Sequence, residues 1–209
     1  MNARSIETVL FSALLLLSAC AAGTNGAKDA KEAPAALLPN AHRVSETLVT
    51  GGQPSKAQLE RLKEEGFTTV ISLRTDAEPG AKEGIENAKA LGFKVVHIPV
   101  AGAKGVTEEN ARKVAEALAA ADGKVVLHCA SGNRAGAMVA LKAYYVDGKS
   151  VEEALRLGRA AGLTHLEEAV RQHLLEAEKA RQSSKGAAAG AAETPEDAPA
   201  PDATDAAEE

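Results

Sequence analysis

The stretch that decides the fold runs Lys124-Val125-Val126-Leu127-His128-Cys129-Ala130-Ser131-Gly132-Asn133-Arg134. Its first half is a continuous apolar run without polar alternation, the pattern of a strand buried on both faces of a sheet. Its second half is built from small residues, and helical spacing resumes from Asn133. A strand feeding a tight loop and then a helix start is the repeating unit of α/β folds, whose ligands bind at the carboxyl ends of the strands.

The same alternation repeats on both sides. A strand over Val44 to Val49 ends at Gly51-Gly52-Gln53-Pro54, and Ser55 caps a helix that carries Leu59 and Leu62 and stops at Gly66. Thr68 to Leu73 is a β-branched strand ending in Arg74-Thr75-Asp76; Ala81 to Leu91 is a helix closed by Gly92; Phe93 to Val100 is the next strand. Thr107 caps a helix to about Ala121, Asp122-Gly123 turns the chain into the Cys129 strand, and helices follow at 133–147, 150–162 and 164–178. The pattern predicts one α/β domain over residues 41–180. Its mainly parallel sheet of four to five strands is flanked by helices, three of them after the Cys129 loop.

The ends read differently. Arg4 followed by the apolar run Val9 to Leu17 is a secretory leader, too short to span a bilayer as a helix. Leu17-Ser18-Ala19-Cys20 resembles the lipobox of bacterial lipoproteins, which implies removal of residues 1–19 and lipidation of Cys20. The expected location is the bacterial cell envelope, facing the periplasm, with Ala21 after the cysteine favouring the outer membrane. Residues 20–40 read as a flexible tether, and 181–209 as a disordered Ala/Pro/acidic tail. From Gln182 onward there are seven acids and one cation, so a net charge of −5 leaves about +1 on the rest of the chain. That balance, with five aromatics and no Trp, excludes a polyanion surface and a base-stacking platform; no nucleic-acid partner and a monomer are expected.

With Cys20 lipidated, Cys129 has no disulfide partner, so it is either inert and buried or kept for chemistry. Ala130, Ser131, Gly132 and Asn133 let backbone N–H groups converge into an anion nest at a helix N-terminus, which favours a thiolate. Arg134 adds a planar two-pronged donor suited to an oxyanion. His128 either fixes the loop or is a core histidine. One Cys beside one His lacks the spacing of a metal site.

Residues 49–162 resemble the dual-specificity, protein-tyrosine-phosphatase-like superfamily, above all its bacterial beta-lactamase hydrolase-like branch. The resemblance rests on Ser45 to Pro54, Val70-Ile71-Ser72-Leu73-Arg74, His97-Ile98-Pro99-Val100 and the Cys129 loop. It implies a phosphomonoester substrate, attack by Cys129 on phosphorus, oxyanion binding by Arg134 and the loop, and no cofactor. The chain departs from the family in three places. Four residues rather than five separate Cys129 from Arg134, Ala135 stands where a hydroxyl residue is usual, and Ala101 to Val106 lacks the general-acid carboxylate. Asp76 or Glu78 could replace that acid or be solvated loop carboxylates. Arg74 is a second anion contact or an ion-pair partner, and Lys104 reads as solvated. A rhodanese-type sulfurtransferase carrying sulfur on Cys129 and an oxyanion-binding module with little turnover are the alternatives.

Overall fold

The computed structural model describes residues 37–190, with side chains to Ser184. The leader, the lipobox with Cys20, most of the tether and the acidic tail from residue 191 lie outside the described residues.

Five strands form one sheet: β1 His42–Arg43, β2 Leu48–Gly51, β3 Phe67–Ser72, β4 Lys94–His97 and β5 Lys124–His128. Their spatial order is β1-β2-β5-β3-β4, with β1 antiparallel on the edge and the other pairs parallel. The decisive apolar run is therefore the central strand. The strand expected over Val44 to Val49 is instead a hairpin. Ser45-Glu46-Thr47 is polar and turns the chain, with Val44 N–H donating to Leu48 O at 2.9 Å and Thr47 N–H to Ser45 Oγ at 3.2 Å.

Helices α1 Lys56–Glu64 and α2 Ala81–Ala90 cover one face; α3 Glu108–Ala119, α4 Asn133–Tyr145, α5 Val151–Ala160 and α6 Glu167–Gly190 cover the other. α1 starts where it does because Ser55 and Gln58 form a reciprocal capping box, and Leu59 and Leu62 are the residues it buries. Thr107 and Ser150 cap α3 and α5 through the N–H groups of Asn110 and Glu153. α4 has no side-chain cap: Gly132 precedes it in a left-handed conformation, φ 98°. It is the central helix, buried from Ala135 to Leu141. α5 crosses it through small residues; a Cβ on Gly136 would lie 2.1 Å from Leu163 N, and one on Gly158 2.7 Å from Ala140 Cβ.

Alternation along the strands splits the core. Val125, Leu127 and Cys129 face the α4 side with Ile71 and Leu73, while Val126, Val70 and Phe67 face α1 and α2 with Leu38.

Two boundaries move. The domain does not begin at 41, because Leu38 is fully buried and Gly52 N–H donates to Pro39 O at 2.7 Å. It does not stop at 180 either: α6 runs to Gly190, through an Ala-rich stretch of high helix propensity, and the Arg181 guanidinium lies 4.6 Å over the Tyr144 ring. Leu38→Ala should cost about 2–5 kcal/mol, the usual loss for a fully buried leucine. Urea unfolding measures it, and a change below about 0.5 kcal/mol would restore the tether reading of this residue.

Candidate active site

β5 delivers Cys129 to the carboxyl end of the sheet, and the chain then runs alongside the end of β2. Cys129 N–H donates to Gly51 O at 3.1 Å, Gln53 N–H to Ala130 O at 3.4 Å, and Gly52 bridges Ser131. Asn40 Nδ2 donates to Ser131 O at 3.1 Å on the outer side. This packing explains the paired glycines of the Gly51-Gly52-Gln53-Pro54 motif: a Cβ on Gly52 would sit 2.9 Å from Ala130 O and 3.0 Å from Pro39 Cβ. The thiol is buried, 1 % exposed, and its Sγ accepts from Gly132 N–H at 3.1 Å. Among the described residues no acceptor meets the N–H groups of Ala130, Ser131, Asn133 or Arg134. A ring of free donors thus opens above the sulfur at the uncapped start of α4.

Arg134 is the second residue of α4, and helical side chains lean back toward the N-terminus, so its guanidinium reaches under the loop. Nη1 donates to Val100 O at 2.8 Å, to Leu73 O at 3.3 Å and to Glu78 Oε1 at 2.7 Å; Nη2 donates to Glu78 Oε2 at 2.7 Å. Among the described residues Nε meets no oxygen acceptor, and the remaining partner of the guanidinium is the Cys129 sulfur. One edge of the fork is committed to the domain, and the Nε–Nη2 edge retains donors for an oxyanion. The pair with Glu78 holds Arg134 above its ordinary pKa, and the Cys129 sulfur adds to that attraction.

Glu78 is in the site, but not as an acid. Hydrogen bonding from Arg134, helped by Thr75 N–H and Arg74 and opposed by burial, lowers its pKa to about 2, so it is a carboxylate at neutral pH. Arg74 is likewise not an open anion contact. Its guanidinium bonds Gln53 Oε1, Pro79 O at 2.8 Å and Glu78 Oε2 at 3.2 Å, and Gln53 Nε2 donates to Gly80 O at 2.7 Å. The Asn133 side chain has a separate job from its N–H group: its Oδ1 accepts from Thr164 N–H at 2.8 Å and so pins the α5–α6 connection to the start of α4. Asp76 is 64 % exposed, 4.0 Å from His97 Nδ1. Lys104 is exposed on the short 3-10 turn Gly102–Gly105.

His128 is a core histidine on the face opposite the thiol. Burial, with Arg74 and Arg134 adding repulsion, lowers its pKa to about 4, and Nδ1 lies 3.3 Å from Cys129 O. Gln53 and His97, which donates from Nε2 to Arg74 O at 2.6 Å, were not singled out from sequence. Gln53 had a signal, since it ends the Gly51-Gly52 turn at the carboxyl end of β2.

The family model described as DSP-PTPase phosphatase fused to NAD+ kinase matches residues 36–185. A beta-lactamase hydrolase-like protein from Agrobacterium fabrum is 36 % identical over 97 residues, which cover 44 % of this chain and 22 % of that protein. The match therefore spans about a fifth of the length of that relative. Among solved structures, a DUF442 protein from Shewanella putrefaciens superposes with a TM-score of 0.52 at 20 % identity, over 66 % of this chain and 91 % of that one. Tk-PTP in its active form gives 0.51 at 23 %, over 66 % and 97 %. These superpositions share the fold: a single α/β domain of the tyrosine-phosphatase-like kind.

Both depressed pKa values set a pH window. Glu78 stabilises the fold fully above its unfolded value of 4.5 and loses that contribution as pH falls toward 2. The shift corresponds to at most about 3 kcal/mol, reduced by solvent screening of a partly exposed group. Neutral His128 contributes above 6.5 and loses its contribution as pH falls through about 4. Urea unfolding at pH 7, 4.5 and 3 should show stability falling at both steps. In Glu78→Gln the lower step should be shallower; parallel curves for the two proteins would show that the pair contributes nothing.

Proposed function

We propose, from the premise that the chain belongs to the DSP-PTPase family of tyrosine-phosphatase-like hydrolases, that it hydrolyses a phosphomonoester through a Cys129 thiophosphate. The observation that carries this reading is the pairing of a buried sulfur beneath open N–H donors with a guanidinium whose inner edge is fixed and whose Nε edge remains available. The N–H ring and that edge would hold the three non-bridging oxygens while Sγ attacks phosphorus from below. The phosphorus–oxygen bond to the leaving group breaks, and that oxygen takes a proton. Water then attacks phosphorus, the sulfur–phosphorus bond breaks, and inorganic phosphate departs. Glu78, already ionised, would position Arg134. Asp76 is the carboxylate on the same loop that no guanidinium binds, and we assign it the proton donor's role. We also propose that the domain is lipid-anchored through Cys20 and works at the periplasmic face, on the strength of Leu17-Ser18-Ala19-Cys20. Cys20→Ala should then retain residues 1–19 and lack acyl mass by intact-mass spectrometry. An unchanged mass sinks the anchor.

Cys129→Ser and Arg134→Ala should each lower aryl-phosphate hydrolysis by roughly 10³-fold or more, since nucleophile and clamp act together. Arg134→Lys should recover little, because a point charge cannot replace a fork that bonds on two edges. Asp76→Asn should cost roughly 10²–10⁴-fold on an alkyl phosphate and much less on p-nitrophenyl phosphate, whose leaving group scarcely needs a proton. Glu78→Gln should slow both esters alike, because it loosens the clamp. Sulfur transfer from thiosulfate to cyanide by wild-type protein that leaves phosphate esters intact would replace this reading with the sulfurtransferase. Phosphate binding with neither activity would leave an oxyanion-binding module.

A further inference from the structure

Beside the Cys129 loop, and sharing Ser131 with it, lies a cavity of about 340 Å³ lined by Asn40, His42, Ser131, Gly162, Thr164 and His165. It is built from three separate pieces of chain: the segment entering β1, the nucleophile loop and the α5–α6 connection. Asn133, bonded to Thr164 N–H, and Asn40, bonded to Ser131 O, hold those pieces against one another. Its chemistry is one-sided. Two imidazoles and two hydroxyls, of Ser131 and Thr164, supply hydrogen-bond donors, the Asn40 Oδ1 supplies an acceptor, and no carboxylate or large apolar side chain lines it. The His42 ring packs on Gly162, where a Cβ would come within 3.0 Å of its Cδ2.

A second observation points the same way. No aromatic residue lies in the loops at this end of the sheet, 52–55, 73–80, 98–107 and 161–166. Phe67 and Phe93 are buried in the core, Tyr144 is 2 % exposed, and Tyr145 bonds His173 Nε2 at 2.9 Å. Among the described residues there is thus no aromatic wall to receive a phosphotyrosine ring, while a polar cavity lies next to the loop.

Building on the phosphatase reading, we propose that the His42–His165 cavity is a subsite for the non-transferred part of the substrate, and that this part is non-aromatic and carries hydroxyls and a second anionic group. A sugar or polyol bisphosphate has this chemistry. The volume falls within the range of small-molecule sites. A second phosphate would accept from the two imidazoles and Thr164, and a ring hydroxyl would donate to Asn40.

The full chain is assayed on p-nitrophenyl phosphate, fructose 6-phosphate, fructose 1,6-bisphosphate and phosphotyrosine. Turnover of p-nitrophenyl phosphate that disappears in Cys129→Ser tests the phosphatase reading alone. The subsite predicts a KM for the bisphosphate at least about tenfold below that of the monophosphate, the effect of one hydrogen bond to a charged group. In His165→Ala and His42→Ala the ratio of kcat/KM for bisphosphate over p-nitrophenyl phosphate should fall about tenfold, through KM rather than kcat. His165 is exposed, so its replacement tests the cavity even if the His42 variant does not fold. Equal KM values for mono- and bisphosphate, an unchanged ratio in His165→Ala, or preference for phosphotyrosine overturns the proposal. Should no ester turn over, calorimetric titration of Cys129→Ser with fructose 1,6-bisphosphate decides. Binding weakened tenfold by His165→Ala upholds the subsite, and absent or unaltered binding overturns it.

Discussion

Parallel strands that stop side by side leave backbone carbonyls pointing into the space where their loops diverge, and each needs a donor. In this chain one guanidinium meets several of them. Arg134 bonds the carbonyls of Leu73 and Val100, just past the ends of β3 and β4, and through Glu78 it takes hold of the connection from β3 to α2. Thr75, Arg74 and Gln53 extend the network across to the end of β2. The loops around the thiol therefore take their positions from a side chain on the helix that follows it. In the proposed phosphatase reading structure and chemistry would share this one residue, divided by edge: Nη1 and Nη2 tie the loops together, and the Nε edge would serve the oxyanion. The four-residue loop suits this arrangement, since it places the arginine within the first turn of α4, close enough to reach back beneath its own loop.

The network also explains which parts of the site were legible in the sequence. Cys129, the small loop residues and the helix start follow from local pattern, and so did the helices with Ser or Thr caps. Roles that depend on long-range pairing did not. Arg74 and Glu78 stand four residues apart in a loop, where an exposed acid and a strand-end cation are the default reading. Only the approach of Arg134, 56 residues later, turns Glu78 into a fixed anion. Asn133 sits inside the motif, but nothing local shows that its side-chain oxygen accepts from a backbone N–H 31 residues on. The domain edges misled for another reason. Leu38 follows a stretch of Ala, Lys and Pro, and composition alone does not reveal that one leucine fills the space under α1. At the other end, alanine-rich sequence satisfies the criteria for a linker and for a helix equally well.

Face alternation places two neighbouring residues in opposite settings. Cys129 joins the larger core and meets the helix start, whereas His128 points into the smaller core toward α1 and α2, with Ser72 as its partner across the sheet. The imidazole is held neutral there by burial and by the two guanidiniums.

The aromatic inventory has an optical consequence. With no Trp, and with both tyrosines at the carboxyl end of α4, intrinsic fluorescence and near-ultraviolet dichroism should come mainly from one corner of the molecule. There the two rings meet edge to face at 5.0 Å, Tyr145 touches His173, and Arg181 lies over Tyr144. Every one of those partners outside α4 belongs to α6. The native chromophores are therefore a gauge of how the last helix is seated, at the far end of α4 from the thiol. A spectroscopist watching them would follow the C-terminal helix while occupancy of the Cys129 loop passed largely unseen.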